Sequence, residues 1–243
     1  MKSIFISFLP TYAFITFIYS IVQLIRIGGI DFIWLGIANF VIAILFVLIF
    51  SKPKARTGPN LHGLSIVIIA LGALSIFYAS ELLVIVLAIL TILNWILYVY
   101  WYSRFSGRNK GVIQQGQSLP SFEVTTTNKQ EVIIPEYYGK PLLILFFRGN
   151  WCPLCMAQIK EISRKYQQIA ERGTEILLIS PQPIRHTKSL AKRFNVPFTF
   201  LIDQGGQAAK RLGIFHSLGT PFGLSTLGYE KDTVMPTVIM TDQ

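Results

Sequence analysis

Cysteine is the scarcest residue in this chain: 243 residues hold two, Cys152 and Cys155, and none lies before residue 152. A relay passing thiol equivalents through the N-terminal half is therefore excluded. A structural zinc site would need two more ligands, and His186 and His216 stand 30 residues apart rather than at finger spacing, while His62 borders an apolar run. Charge is also sparse, at 14% of residues, and acid is the scarcer sign, with 12 carboxylates against 22 basic groups. The basic residues are scattered and no basic-aromatic motif joins them, so nucleic acid is not an expected partner. Internal repeats and low-complexity tracts are lacking too. The first apolar run has no small-residue cleavage site, since Tyr12, Phe14, Phe17 and Tyr19 lead straight on to Arg26. It reads as an uncleaved anchor rather than a signal peptide.

What the chain has in abundance is apolar length. It is 52% hydrophobic, and this content is concentrated before residue 103. About 20 helical residues cross a hydrocarbon core, and lipid offers backbone groups no partner, so such runs must be helices. Four spans are expected, at about 4–25, 32–50, 61–79 and 82–102, with a tight hairpin at Ser80 and Glu81. The alternative is three spans with one long helix over 61–102. Charge separates the two. Four spans put Lys2, Lys52, Lys54, Arg56, Arg104, Arg108 and Lys110 on one side against Arg26 on the other, whereas three spans divide the positives four to four. The expected setting is a bacterial inner membrane with residues 103–243 cytoplasmic. A periplasmic location is the alternative, because disulfides persist outside the cytosol. Gln23, Asn39 and Asn94 read as polar glue between helices, and Tyr98, Tyr100, Trp101 and Tyr102 as an interfacial belt. Anchoring is the expected role of this half, and the lipid bilayer is an expected partner. Residues 103–243 carry +7 of the net +10, which favours anionic headgroups.

Beyond Tyr102 a polar, glycine-containing linker over 103–119 leads to a domain expected over 120–243. Short strands are predicted at 122–126 and 131–134, and a buried strand in the apolar run 140–147. Met156, Ile159, Ile162, Tyr166 and Ile169 recur at helical spacing up to Gly173. Then come a strand over 174–180, a helix over 183–195, a strand over 198–203 and a short helix over 205–214. Irregular sequence from 215 to 232 precedes a last strand in 235–243. Strands alternating with helices predict an α/β domain with a largely parallel sheet.

The thiol pair sits in "FFRGNWCPLC", between an apolar strand and a helix start. Three readings are open: two small buried hydrophobes, half of a zinc site, or a redox dithiol. The third draws on geometry. Pro153 suits a first helical turn, which puts Cys152 at the helix N-terminus, where free N–H groups and the dipole favour a thiolate. Arg148 adds positive charge. Cys155 lies one turn further in, placed to resolve a mixed disulfide formed by Cys152. His186 reads as a surface histidine, Asp203 as a turn former and Glu161 as solvated.

"WCPLC" after an apolar strand and "MPTVIM" near the C-terminus resemble the active-site turn and proline loop of thioredoxin-fold proteins. "GQSLPSFEVTTTNKQEV", "LISPQPIRHTKSLAKRF" and "FLIDQGGQAAKRLGI" narrow the resemblance to the alkyl hydroperoxide reductase/thiol-specific antioxidant family, a peroxiredoxin-like branch of that superfamily. It covers about 116–243. The resemblance implies a thioredoxin-like fold without its C-terminal strand and helix, a truncated domain with an unprotected edge. It implies a cis Pro236 shaping the substrate site, with Trp151, Pro153, Met235 and Thr237 contacting substrate. The family's peroxidatic pattern, Pro-x-x-x-Thr-x-x-Cys with a distant arginine, puts Cys155 in the peroxidatic position. Arg148 then replaces the proline, Cys152 the threonine, and Pro236 stands where the arginine belongs. These departures favour a membrane-anchored thiol-disulfide oxidoreductase with catalytic Cys152, Cys155 and Pro236. A thiol peroxidase acting on hydroperoxides and a membrane interaction protein with an inactive redoxin domain stay as alternatives. Protein thiols or disulfides, or a hydroperoxide, and a thiol reductant are the implied partners; no cofactor and no metal is implied.

Overall fold

The computed structural model describes residues 1–55, 61–105, 107–134, 139–194 and 197–242. Arg56, which entered the charge count, and Asn195 and Gln243, at the ends of expected elements, lie outside them. The chain divides into two compact units, residues 1–52 with 56–104, and residues 53–55 with 105–243.

The first unit is helical. Its elements are α1 (Lys2–Arg26), α2 (Ile30–Ser51), α3 (His62–Phe77) and α4 (Leu82–Leu97), the last continued by a π-turn at Tyr98–Tyr102. Three of these are long and apolar enough to cross a membrane: Lys2–Arg26, Ile30–Ser51 and Leu82–Tyr102. The run expected to span 61–79 forms a helix of 16 residues, His62–Phe77. At 1.5 Å per residue it reaches about 24 Å, short of a ~30 Å hydrocarbon core. The chain does break between α3 and α4. Asp31, buried at the start of α2, accepts hydrogen bonds from the Ser80 amide at 3.1 Å and the Ser80 hydroxyl at 2.9 Å. The carboxylate thus satisfies donors that the turn leaves unpaired. Gly72 lets α4 approach closely, for a Cβ there would lie 2.7 Å from Ile92. Polar side chains tie the bundle. Asn39 donates to Thr91 Oγ1 at 3.1 Å, the Tyr12 hydroxyl to Leu87 O at 2.7 Å, and Trp95 Nε1 to Ser65 Oγ at 3.0 Å.

The second unit is a mixed α/β layer structure with a thioredoxin-like fold. Its main sheet has the order β2–β1–β5–β4–β3–β8. The strands are β1 (Glu123–Thr126), β2 (Glu131–Ile133), β3 (Leu142–Phe146), β4 (Glu175–Ser180), β5 (Thr199–Ile202) and β8 (Thr237–Thr241). Only β3–β4 and β4–β5 pair in parallel, while β1, β2 and β8 are antiparallel to their neighbours. The sheet is therefore mixed rather than largely parallel. β3, β4 and β5 run parallel because helices carry the chain from each to the next, while β1 and β2 form a tight antiparallel hairpin at one margin. Those helices are α5 (Pro153–Arg164) and α6 (Tyr166–Ala170) before β4, and α7 (Ile184–Ala191) before β5. Lys165, at φ −101° and ψ 8°, splits what the sequence pattern reads as one helix.

The apolar run of β3 is continuous because both of its faces are covered. Leu142, Ile144 and Phe146 enter one core with Phe122, Leu177, Ile179, Leu201 and Met235. Leu143, Leu145 and Phe147 enter the other with Cys152, Cys155, Ile159, Leu178 and Phe200. Between β5 and β8 the chain forms α8 (Gln207–Arg211) and a small hairpin, β6 (Phe215–His216) with β7 (Thr233–Val234), in place of unbroken irregular structure. Residues 105–119, read as a linker from the sequence, belong to this unit, and Asn109 donates its N–H to Gly213 O at 2.9 Å.

Candidate active site: a coupled dithiol

Strand β3 ends at Phe146 and the chain turns through Arg148–Trp151 into α5. Gly149 makes that turn possible. At φ +152° it takes a conformation open to glycine, and a Cβ there would lie 2.6 Å from Trp151 Nε1. Cys152 is the residue before the first helical one, in extended conformation, and Pro153 occupies the first turn. The Cys152 N–H donates to Gly149 O at 3.1 Å, closing the turn.

The two sulfurs meet: the Cys155 thiol donates to Cys152 Sγ at 2.7 Å, and both cysteines are free thiols. That hydrogen bond is the largest influence holding the Cys152 pKa down to about 7, from an ordinary 9.0. The Arg148 charge and the N–H groups of Cys155 and Leu154 act in the same direction, against burial. Cys155 moves oppositely: burial first, then its hydrogen bond to Cys152, pushes its pKa well above the usual thiol value. The pair is thus split into an outer thiolate and an inner thiol. Cys152 is 6% exposed and Cys155 fully buried, so the outer sulfur is far more enclosed than a helix-mouth position alone suggests.

Arg148 is fixed at both ends. Its guanidinium carbon lies 4.7 Å from the centre of the Trp151 ring and one of its terminal N–H groups donates to Gly219 O. Its own carbonyl accepts from Thr233 Oγ1 at 3.0 Å. Arg148 Nε and Trp151 Nε1 are buried without an acceptor. Asn150 joins the turn to neighbouring elements, since its N–H donates to Gln182 Oε1 at 2.8 Å and its Oδ1 accepts the Tyr229 hydroxyl. His186 stacks on Tyr229 with ring centres 4.4 Å apart, so it is a packing partner rather than a free surface group. Asp203 is fully buried and accepts from the amides of Ala208 at 2.8 Å and Ala209 at 2.9 Å, anchoring the start of α8.

The structure brings Arg148, Trp151, Cys152, Pro153 and Cys155 together and pairs Thr237, the residue after Pro236, with Phe146 at the strand end that leads into their turn. No peptide bond among the described residues is cis, so the Met235–Pro236 bond is trans, contrary to the expectation from the resemblance. The trans amide is the intrinsically preferred form. It is held by the Met235 N–H donating to Ile214 O at 2.8 Å and Pro236 O accepting from Arg108 at 3.1 Å. Met235 is 1% exposed in the core on the other face of the sheet from the thiols. Thr237 Oγ1 is occupied by Arg108 at 2.7 Å and itself donates to Met235 O at 2.8 Å. Met235, on that opposite face, is not presented to a substrate at the dithiol. Gly219, Thr233 and Tyr229 carry no motif in the sequence; their place at the site follows from the segment that folds over Arg148 and Asn150.

A model of the AhpC/TSA family matches residues 115–243. "Peroxiredoxin Q, chloroplastic" of Oryza sativa subsp. japonica is 27% identical over 134 residues, which cover 54% of this chain and 62% of that protein. The protein of the same name from Populus jackii is 28% identical over 124 residues, 51% of this chain and 58% of that one. The chain thus spans about six-tenths of the length of these curated relatives. Among solved structures, the peroxidoxin BcpB of Mycobacterium tuberculosis aligns with a TM-score of 0.42 at 19% identity, over 52% of this chain and 79% of that chain. Through residues 115–243, more than half its length, the chain belongs to the AhpC/TSA family of the thioredoxin-like superfamily.

Proposed function

We propose that the protein is a membrane-anchored dithiol oxidoreductase, with Cys152 as nucleophile and Cys155 as resolving thiol. The observation that carries this reading is the split pair: a thiolate at Cys152 near neutral pH, with a protonated, buried Cys155 donating to it at 2.7 Å. In thiol-disulfide exchange the Cys152 thiolate attacks one sulfur of a target disulfide and expels the other as thiolate. Cys155 then loses its proton to that leaving thiolate and attacks Cys152, releasing the target's second sulfur as a thiolate that takes a proton from water, and leaving Cys152–Cys155 oxidised. An external thiol reductant returns the pair to the reduced state. The N-terminal apolar helices serve as the anchor, with four crossings if the shorter α3 spans too.

A second reading has its own support. Cys152 is only 6% exposed, which suits a small oxidant better than a protein disulfide, and the relatives are named peroxiredoxins. Here the thiolate attacks the hydroperoxide, releasing alkoxide and leaving Cys152 as the sulfenic acid. Cys155 condenses with it, losing water and forming the same disulfide. Either way the nucleophile is Cys152, since Cys155, the position matching the family's peroxidatic cysteine, is buried and protonated.

Trapping separates the two. The Cys155→Ser protein in native membranes accumulates mixed disulfides through Cys152 if exchange is the reaction. No adduct, together with rapid hydroperoxide consumption by the parent protein, assigns the peroxidase instead.

A further inference from the structure

The segment between the last apolar helix and the α/β unit is built into the unit rather than hanging free. The Phe105 ring meets the His216 ring edge-on, with centres 5.6 Å apart and planes at 83°. Asn109 N–H donates to Gly213 O at 2.9 Å, just before β6. Arg108 donates to Pro236 O at 3.1 Å and Thr237 Oγ1 at 2.7 Å, just after β7. Phe105 and Gly107–Asn109 therefore act as a strap that holds the chain at β6, just before it, and in the residues that follow β7.

That hairpin in turn grips Arg148. Thr233 of β7 donates to the Arg148 carbonyl at 3.0 Å, and Gly219, beyond β6, accepts from its guanidinium. His216 and Gly219 are so close that a Cβ on the glycine would lie 2.5 Å from His216 Nδ1. A continuous line of contacts runs from Phe105 through His216 and Gly219 to Arg148. A second runs from Arg108 through Thr237 and Met235 to the hairpin, where Met235 N–H bonds Ile214 O at 2.8 Å.

We propose that the strap is a positioning element of the dithiol site: Phe105 and Arg108 hold the β6–β7 hairpin, and the hairpin aims the Arg148 guanidinium at Cys152. The inference deepens the dithiol reading by naming what sets the nucleophile's charge state. The charged and titratable groups that act on Cys152 are Arg148 and Cys155. Phe105 and Arg108 touch neither sulfur, so they are positioning residues. Loosening them lets the guanidinium relax away from the thiolate, which loses part of its stabilisation.

The test is the pH profile of Cys152 alkylation by iodoacetamide in the reduced full-length protein in detergent, with the modified site identified by peptide mass. This readout needs neither exchange nor peroxidase turnover, so it stands apart from the choice between those activities. Phe105 is half exposed, which makes Phe105→Ala a mild change for folding. The expected result for Phe105→Ala with Arg108→Ala is a profile displaced to higher pH, with alkylation at pH 6 slowed about three- to tenfold. Arg108→Lys, which keeps a donor, is expected to stay within about twofold of the parent at that pH. In an Arg148→Met background the strap substitutions should produce no further displacement. An unchanged profile in folded strap variants, or an equal displacement in the Arg148→Met background, overturns the proposal. A variant that loses its far-ultraviolet dichroism is replaced by Arg108→Gln alone, scored by the same two criteria.

Discussion

The guanidinium carbon of Arg148 sits over the indole of Trp151, 4.7 Å from the ring centre, on the turn that delivers Cys152. The ring contact and the hydrogen bond to the Gly219 carbonyl together restrain the charge.

Arg148→Met keeps much of the stacked volume and removes the charge. The Cys152 pKa then rises from about 7 toward 9.0, so the thiolate fraction at neutral pH falls. Each unit of rise slows alkylation at pH 6 about tenfold. Arg148→Lys retains the charge without the planar fork and falls between the two. Iodoacetamide kinetics from pH 5 to 9 measure both.

The Cys155 thiol is the first influence on Cys152, ahead of the arginine. Cys155→Ala removes the donor and moves the alkylation midpoint upward. Cys155→Ser leaves a hydroxyl that can still donate, and moves it less. The parent profile climbs between pH 6 and 8 and is flat by pH 9. Equal midpoints for the alanine and serine variants would show that the sulfur–sulfur hydrogen bond has no part in the depression.

Asp203→Ala deprives the Ala208 and Ala209 amides of their acceptor and lowers stability by about 1–2 kcal/mol. Burial raises the Asp203 pKa above its ordinary 3.8, with the same amides opposing. The native state therefore holds this proton more tightly than the unfolded chain. The stabilising share of that linkage is complete below pH 3.8 and is lost as pH rises through the folded pKa. Thermal unfolding of the parent and the alanine variant should show their gap widening as pH falls from 7 to 4.

In the helical unit, Asn39→Leu removes donors to Leu35 O and Thr91 Oγ1, both near 3 Å. Interhelical hydrogen bonds in lipid are worth about 0.6–2 kcal/mol. Steric unfolding of the bundle in mixed detergent micelles is expected to come at lower denaturing-detergent fraction by a corresponding amount. Asn94→Leu, whose side chain makes none of these bonds, serves as the comparison.

Local order was legible where one neighbourhood decides it. Apolar runs marked β3, β4 and α1, α2 and α4 because each buries itself whatever its partner. The apolar strand before it and Pro153 marked the helix start at Cys152 for the same reason. Sheet direction, the break at Lys165 and the β6–β7 hairpin were not legible, because each depends on which distant segment lies alongside. Met235 and Thr237 illustrate the limit. Their motif resembles a substrate loop, yet Met235 faces the core opposite the thiols and Thr237 is bonded to Arg108.

By itself the sequence determined that two thiols stand one helical turn apart at a helix start, and that apolar helices precede them. Spacing along the backbone is covalent and needs no tertiary partner. Position at the helix start already pointed to Cys152 as the thiolate, and only the tertiary structure settled the choice of sulfur through its surroundings. That choice depends on burial and on an arginine held by a hairpin some 70 residues away in the chain, and both exist only once the sheet has closed.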